Sequence, residues 1–133
     1  FIKDGRLRYV HNWVGREIHG VTSEGPVPAG SHELRFEFEP TAKPDMAHGK
    51  GAPGRLQLYI DGALVASADA PYTTPFMFNP GGVSCGHNPG SPVTPEYASP
   101  FKFTGRLEKV VVDVSGDLIV DSEAELRMHM ARQ

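Results

Sequence analysis

Two Asp-Gly pairs constrain this chain more than any other feature. Asp4-Gly5 lies between Ile2-Lys3 and Arg6-Leu7, and Asp61-Gly62 lies between Tyr59-Ile60 and Ala63-Leu64. A two-residue hairpin loop of type I′ needs positive φ at both central positions, and Asp-Gly meets that need at little steric cost. Each pair therefore predicts a tight antiparallel hairpin. The flanking sequence carries the matching period. Leu7, Tyr9, His11 and Trp13 alternate with Arg6, Arg8, Val10 and Asn12. Leu56, Leu58 and Ile60 lead into the second turn, and Leu64 and Ala66 leave it. Period-two alternation marks a strand with one buried face. The shared pattern reads as one turn solution used twice, not as a sequence repeat.

Further strands follow from the same argument. In Ser31–Glu39, the cleanest strand pattern, Leu34, Phe36 and Phe38 face one way and Glu33, Arg35, Glu37 and Glu39 the other. Glu17–Thr22 is a weaker candidate, and Phe76–Phe78 a short one. A loop crowded with proline and small polar residues separates Cys85 from Phe101. A β pattern then runs from Phe101 to Val114, with a bend expected at Gly105. Val111 between Val110 and Val112 implies burial on both faces, hence a central strand. Leu118–Val120 reads as a last extended piece. Asp121 or Ser122 can cap a helix over Glu123–Arg132, with acids in its first turn and Arg127, His129 and Arg132 toward its end. Leu126 and Met130 form its apolar stripe.

Fifteen Gly and twelve Pro suit short strands and turns rather than helices. Many short strands without βαβ alternation predict an all-β fold, an antiparallel β-sandwich with a short C-terminal helix. Jelly-roll topology is the preferred version. The 133 residues fit a single domain, 1–133, with 121–133 as a helical tail. Phe1-Ile2-Lys3 reads as the second half of a strand, which predicts that the chain is a C-terminal piece of a longer protein.

Composition narrows the function. Lys+Arg 13 against Asp+Glu 16 leaves a net charge of −3, with no basic run to bind nucleic acid or an anionic membrane. No apolar run approaches the roughly 20 residues of a spanning helix. One cysteine excludes an internal disulfide and weakly favours a reducing, cytoplasmic compartment.

Candidate chemistry is sparse. The acids Glu33, Glu37, Glu39, Glu108 and Asp113 alternate with apolar neighbours and read as a solvated face. No Gly-x-Ser-x-Gly or phosphate-binding loop occurs. Asp45, His48 and Lys50 fall in a Pro- and Gly-rich loop, Pro40–Gly54, and read as mobile, exposed side chains. Cys85 and His87 are the most reactive-looking pair. No second cysteine joins them, and His11, His19 and His32 fall on separate predicted segments, short of the three or four ligands that zinc needs. Asn88, Ser91, Thr94 and Glu96, with Asp45, could offer oxygens to calcium, but the loop supplies one carboxylate only. The expectation is no catalytic set, no metal and no cofactor in this chain. A ligand or partner is expected at His87, Asn88, Glu96 and Tyr97, in a loop that closes one end of the sandwich. Trp13, Tyr72 and Tyr97 are the aromatics a sugar site would draw on.

The order of motifs resembles the C-terminal domain of long bacterial arylsulfatases. Phe1 to Asn12 is similar to that family's F-V-K-D-G-x-L-x-Y-x-x-N segment. The resemblance continues at Pro28–Phe38, Leu58–Gly62, Gly86–Tyr97, Pro100–Gly105 and Val110–Gly116. It implies a concanavalin A-like or laminin-G-like sandwich appended to a sulfatase catalytic domain of the same parent chain, with homo-oligomers a further option. The parent would carry calcium and formylglycine. Here Cys85 is followed by Gly-His-Asn-Pro, so the sulfatase Cys/Ser-x-Pro-x-Arg motif is absent and no catalytic residue carries over. Family members often have an acid where this chain has His87 or Asn88, which weakens calcium further. The implied function is a non-catalytic accessory domain that packs on or assembles the catalytic domain. A laminin-G type carbohydrate-binding module is the alternative.

Overall fold

The computed structural model describes residues 1–75 and 82–116. Its regular structure is almost entirely β. Eight strands occur in chain order: β1 (Ile2–Lys3), β2 (Arg6–Trp13), β3 (Glu17–Thr22), β4 (Leu34–Pro40), β5 (Gly54–Ile60), β6 (Ala63–Ala70), β7 (His87–Asn88) and β8 (Phe101–Lys102). A single 3₁₀ turn covers Met46–His48. Both Asp-Gly pairs take the predicted conformation, with φ of 51° and 74° at Asp4 and Gly5, and 50° and 79° at Asp61 and Gly62. Lys3 pairs with Arg6 and Ile60 with Ala63, so each hairpin loop has two residues.

The strands form two antiparallel three-stranded sheets, ordered β1-β2-β3 and β4-β5-β6, and a two-stranded ribbon β7-β8. β5 sits centrally and shows why. Leu56, Leu58 and Ile60 are buried, while Arg55, Gln57 and Tyr59 alternate with them on the opposite face. Ala66, Ala68 and Ala70 on β6 lie opposite Leu58, Leu56 and Gly54. A bulge between Leu58 and Tyr59 leaves Val65 as the extra residue on β6. It shifts the phase, so that Leu64 is 54% exposed while the alanines beyond turn inward. Leu7 and Val21 of the first sheet join Leu56, Leu58, Ile60 and Ala70 of the second in one buried cluster. Tyr9 stacks flat on Phe36, ring centroids 3.7 Å apart, and ties β2 to β4. Gly54 is required by space: a Cβ there would come within 2.4 Å of the Phe38 ring.

Asp61 also anchors the start of β4. Its carboxylate accepts from the Glu33 backbone N–H at 2.9 Å and lies 2.7 Å from His32 Nδ1, and its own N–H donates to the Glu33 carbonyl at 2.9 Å. These bonds occupy His32 and Glu33, which is why the strand begins at Leu34 and not at Ser31. β4 is an edge strand, and Phe36 keeps 38% of its surface exposed.

Two expectations are corrected. The pattern Phe101–Val114 forms a strand only over Phe101–Lys102. Beyond Gly105 no described strand pairs with it, and Val111 and Val112 are 70% and 72% exposed. A β pattern without a partner satisfies neither its backbone nor its apolar face, so this is no central strand. The Pro40–Gly54 loop, in turn, is held at its end. Gly51 N–H donates to Thr73 O at 2.7 Å, Thr73 Oγ1 donates to Ala52 O at 2.9 Å, and both Gly51 and Ala52 are buried. The strand expected at Phe76–Phe78, the extended piece Leu118–Val120 and the C-terminal helix with its tail 121–133 lie outside the described residues.

The core assignment makes a quantitative contrast. Leu58→Ala should cost about 2–5 kcal/mol by urea denaturation, as buried leucine truncations do. Leu64→Ala, at an exposed site, should stay within about 0.5 kcal/mol. Equal losses at the two positions would contradict the bulge and the phase it sets.

The His32–Asp61 clasp has a defined pH window. The hydrogen bond with Asp61 raises the His32 imidazole above its ordinary value, and the Ala29 carbonyl adds to this. The bonds with His32 and the Glu33 N–H lower the Asp61 carboxyl. The His32 contribution is therefore complete below the ordinary imidazole value of about 6.5 and fades as pH rises through its raised folded value. That of Asp61 is present above the ordinary carboxylate range and fades as pH falls through its lowered value. NMR titration should find His32 above 6.5 and returning toward it in Asp61→Asn. An unchanged midpoint in that variant would refute the clasp.

Candidate functional site

Three side chains from the outer face of the first sheet hold the long loop. Lys3, Arg8 and Asn12 lie on the face opposite Leu7, since Lys3 pairs with Arg6 and alternate residues share a face. Lys3 Nζ donates to the Glu96 carbonyl, and Arg8 pairs with the Glu96 carboxylate. Asn12 Nδ2 donates to Val93 O at 2.8 Å. Thr94, buried beneath, accepts from Glu96 N–H at 3.3 Å. The loop therefore lies across the outside of β1 and β2 and does not close the end of a sandwich as expected. The sequence cue was available in retrospect: Arg8 and Asn12 sit on the polar face of β2, and each has donors left over beyond its local contacts with Asp4 and Gly15.

A cavity of about 340 Å³ opens where this loop, the β7-β8 ribbon and the edge of the first sheet meet. Tyr97 stacks on Phe101, with centroids 4.4 Å apart and planes 22° from parallel, and meets Phe1 edge-on at 5.2 Å. Phe103 and Leu107 add to the wall, and Leu34 reaches it from β4. Asn88, half-buried, provides the polar corner. Its Nδ2 donates to Tyr97 Oη at 2.9 Å and to Ser91 O at 3.2 Å, and its Oδ1 accepts from Gly90 N–H at 3.2 Å. Tyr97 Oη also accepts from Val93 N–H at 3.3 Å. The Asn88 amide and the Tyr97 hydroxyl are thus bonded to each other and to the loop backbone. What the cavity offers a visitor is mainly apolar and aromatic surface, with Ser84 and His87 also in its wall.

Of the four residues expected to bind a ligand, His87, Asn88 and Tyr97 line this cavity. His87 is exposed on β7. Glu96 does not line it, because Arg8 draws its carboxylate to the sheet. Phe1, Ile2, Leu7, Leu34, Phe103 and Leu107 were not anticipated; their apolar character marks core as readily as cavity wall, and only the fold separates the two.

The other candidates stay apart. Cys85 is exposed, and no group of three or more His, Cys, Asp or Glu among the described residues is arranged to hold a metal ion. Asp45 pairs with His48 at 2.8 Å, while Glu96 pairs with Arg8. The acids Glu33, Glu37 and Glu39 are exposed or half-exposed on β4 and before it; Glu108 and Asp113 are exposed in a segment without strand pairing, where the valines beside them are exposed too. His11 and His19 do come together, directly opposite across β2 and β3. His11 Nε2 accepts from Thr74 N–H at 3.0 Å, which requires the neutral ring at that nitrogen. Burial, then the neighbouring His19, lowers its affinity for a proton. Tyr72 meets both His19 and Trp13 edge-on at 5.2 and 5.1 Å, with Lys50 Nζ 4.4 Å from its ring centre. This is a packed aromatic corner.

Comparison with protein-family models, with curated proteins and with solved structures found no match to this chain.

Removing the Tyr97 hydroxyl tests the loop. Tyr97→Phe keeps the ring stack but leaves the Asn88 amide and the Val93 N–H without that acceptor, at a cost of roughly 1 kcal/mol. Limited proteolysis should then cut between residues 88 and 97 several-fold faster than in the parent. An unchanged cleavage rate would show that the hydroxyl does not secure the loop.

Proposed function

We propose that this chain is a non-catalytic accessory domain whose Tyr97–Phe101 cavity receives apolar side chains of a partner protein. The observation that carries this reading is the cavity itself: largely apolar and aromatic walls, with the Asn88 amide and the Tyr97 hydroxyl already bonded to each other. A pocket built for sugar hydroxyls would present unpaired donors and acceptors, because each buried and unmatched polar group costs affinity. Among the described residues no nucleophile–base pair and no paired carboxylates face this cavity, which favours a binding role over hydrolysis. The partner we favour is the catalytic domain of an arylsulfatase-like sulfuric ester hydrolase, on the motif order from Phe1 to Gly116. A concanavalin A-like jelly roll is part of the same proposal.

The carbohydrate-binding reading rests on Tyr97 and Asn88 in a long loop. It is the weaker of the two because Phe101 already covers one face of the Tyr97 ring. The two are separable by titration. The chain should bind neither sulfated polysaccharides nor neutral glycans, with or without calcium, and should not hydrolyse p-nitrophenyl sulfate. Its binding to a recombinant sulfatase catalytic domain encoded beside it should weaken at least tenfold in Phe103→Asp. Glycan binding lost in Tyr97→Ala, or sulfate release that depends on a residue of this chain, would overturn the proposal.

A further inference from the structure

A single lone pair on His11 ties the connector after β6, residues 71–75, to the first sheet. His11 Nε2 accepts from Thr74 N–H at 3.0 Å, and Thr74 Oγ1 lies 3.1 Å from the same atom. The ring stands on β2 and Thr74 lies 63 residues further on, so the bond joins a strand of one sheet to the segment leaving the other. The connector in turn holds the end of the 40–54 loop, because Thr73 O accepts from Gly51 N–H and Thr73 Oγ1 donates to Ala52 O. Trp13 adds a second tie from β2 to that loop, Nε1–H to Gly49 O at 3.3 Å, which does not titrate.

A neutral imidazole has one acceptor nitrogen, and the cation has none. With Nε2 accepting, Nδ1 carries the proton, so a second proton can go only to Nε2. That proton then faces the Thr74 N–H, donor against donor. The Thr74 hydroxyl can turn and accept it, but the amide has no such freedom and loses its partner. Thr74 is half-buried, so the amide regains a partner only by moving toward water.

The surroundings give the cation no compensating charge. Directly across on β3 stands His19, a second base. Glu17, the acid of that strand, has its carboxylate 3.9 Å from His19 Nε2. The connector contributes Tyr72, edge-on to His19, and the 40–54 loop contributes Lys50, over the Tyr72 ring. Arg16, in the turn between β2 and β3, lies 6.0 Å from the Trp13 ring. Among the described residues no carboxylate pairs with His11. Burial, and then His19, lower the proton affinity of His11 in the folded chain. A group lowered in this way contributes fully above its ordinary value and its contribution is lost as pH falls through its folded one.

We propose that His11 is an acid-sensitive latch: its neutral ring holds Thr74, and with it residues 71–75, against β2, and protonation releases them. Release is local. The β2-β3 ladder is made by backbone groups and does not use the ring. The His32–Asp61 clasp responds in the opposite sense, because its His32 contribution is complete at the acid side where the latch opens. One chain thus carries two histidines of opposite pH response, one fixing the start of β4 and the other the connector after β6. Imidazole is the side chain whose ordinary value puts such a change between pH 5 and 8.

Amide hydrogen exchange of the full chain, read by NMR and corrected for intrinsic rates, tests the latch. From about pH 7.5 to about pH 5.5 the protection of the Thr74 amide should fall about tenfold, since a released imidazole at its ordinary value of about 6.5 is mostly protonated at the lower pH. The Val27 amide, bonded to Gly5 O at 2.7 Å with no titrating partner, should keep its protection. The His11 ring signal should titrate together with the loss at Thr74. In His11→Gln, whether the amide side chain keeps the bond or lacks it, Thr74 protection should no longer depend on pH. Thr74 protection that stays level while the His11 ring titrates would overturn the proposal. So would an equal loss at Val27, which marks unfolding of the whole domain, or a pH dependence that persists in His11→Gln.

Discussion

The carboxylate of Asp61 sits where three structural requirements meet. Its backbone takes the positive φ that the β5-β6 turn needs, at 50°. Its side chain accepts from Glu33 N–H and engages His32, fixing where β4 begins. That start sets which residues of β4 oppose β5, with Leu34, Phe36 and Phe38 across from Ile60, Leu58 and Leu56. Strand register has period two, so an error of one residue here would turn the apolar face of β4 outward. The core of Leu56, Leu58 and Ile60 depends on this turn more than on any single contact within it.

The long loop depends on a different principle. It has little regular structure and cannot bury its own backbone, so it borrows partners from a sheet already formed. Lys3, Arg8 and Asn12 each reach a carbonyl or carboxylate of Val93 or Glu96. Polar side chains on the outer face of β1 and β2 thereby become the inner lining of a second layer. The cavity bounded by Tyr97, Phe101 and Asn88 follows from that layering, because the loop arches over the sheet edge before the chain returns at β8. A partner entering this space would meet apolar walls that are already held in place, which limits the ordering cost of binding.

Legibility differed between parts for physical reasons. The hairpins, β2, β5 and the polar alternation of β4 were readable because turn chemistry and side-chain period are local. The β6 bulge was not, since Leu64 and Ala66 look in phase until Val65 is counted as an extra residue. The cavity was half readable. His87, Asn88 and Tyr97 stood out as chemically unusual in a loop, whereas Leu34 and Leu107 look like any core leucine. That Glu96 lies outside the cavity wall was not readable, because its partner, Arg8, is 88 residues away. The Val110–Val114 run shows the limit most plainly. Its pattern states that it can be a strand, but a strand exists only where a neighbour supplies its hydrogen bonds, and no described strand does so.

By itself the sequence determined the class of this protein: antiparallel β structure turned at Asp4-Gly5 and Asp61-Gly62, with one face of β5 buried. These properties depend on φ preferences and side-chain alternation over a few residues. Only the tertiary structure decided that the loop lies on the outside of the first sheet, that His11 faces His19, and that Leu34 and Leu107 share a cavity with Tyr97. It also decided that β4 and Lys109–Val114 keep unpaired edges among the described residues. Such outcomes depend on which distant segments meet, and residue spacing along the chain carries almost no information about that.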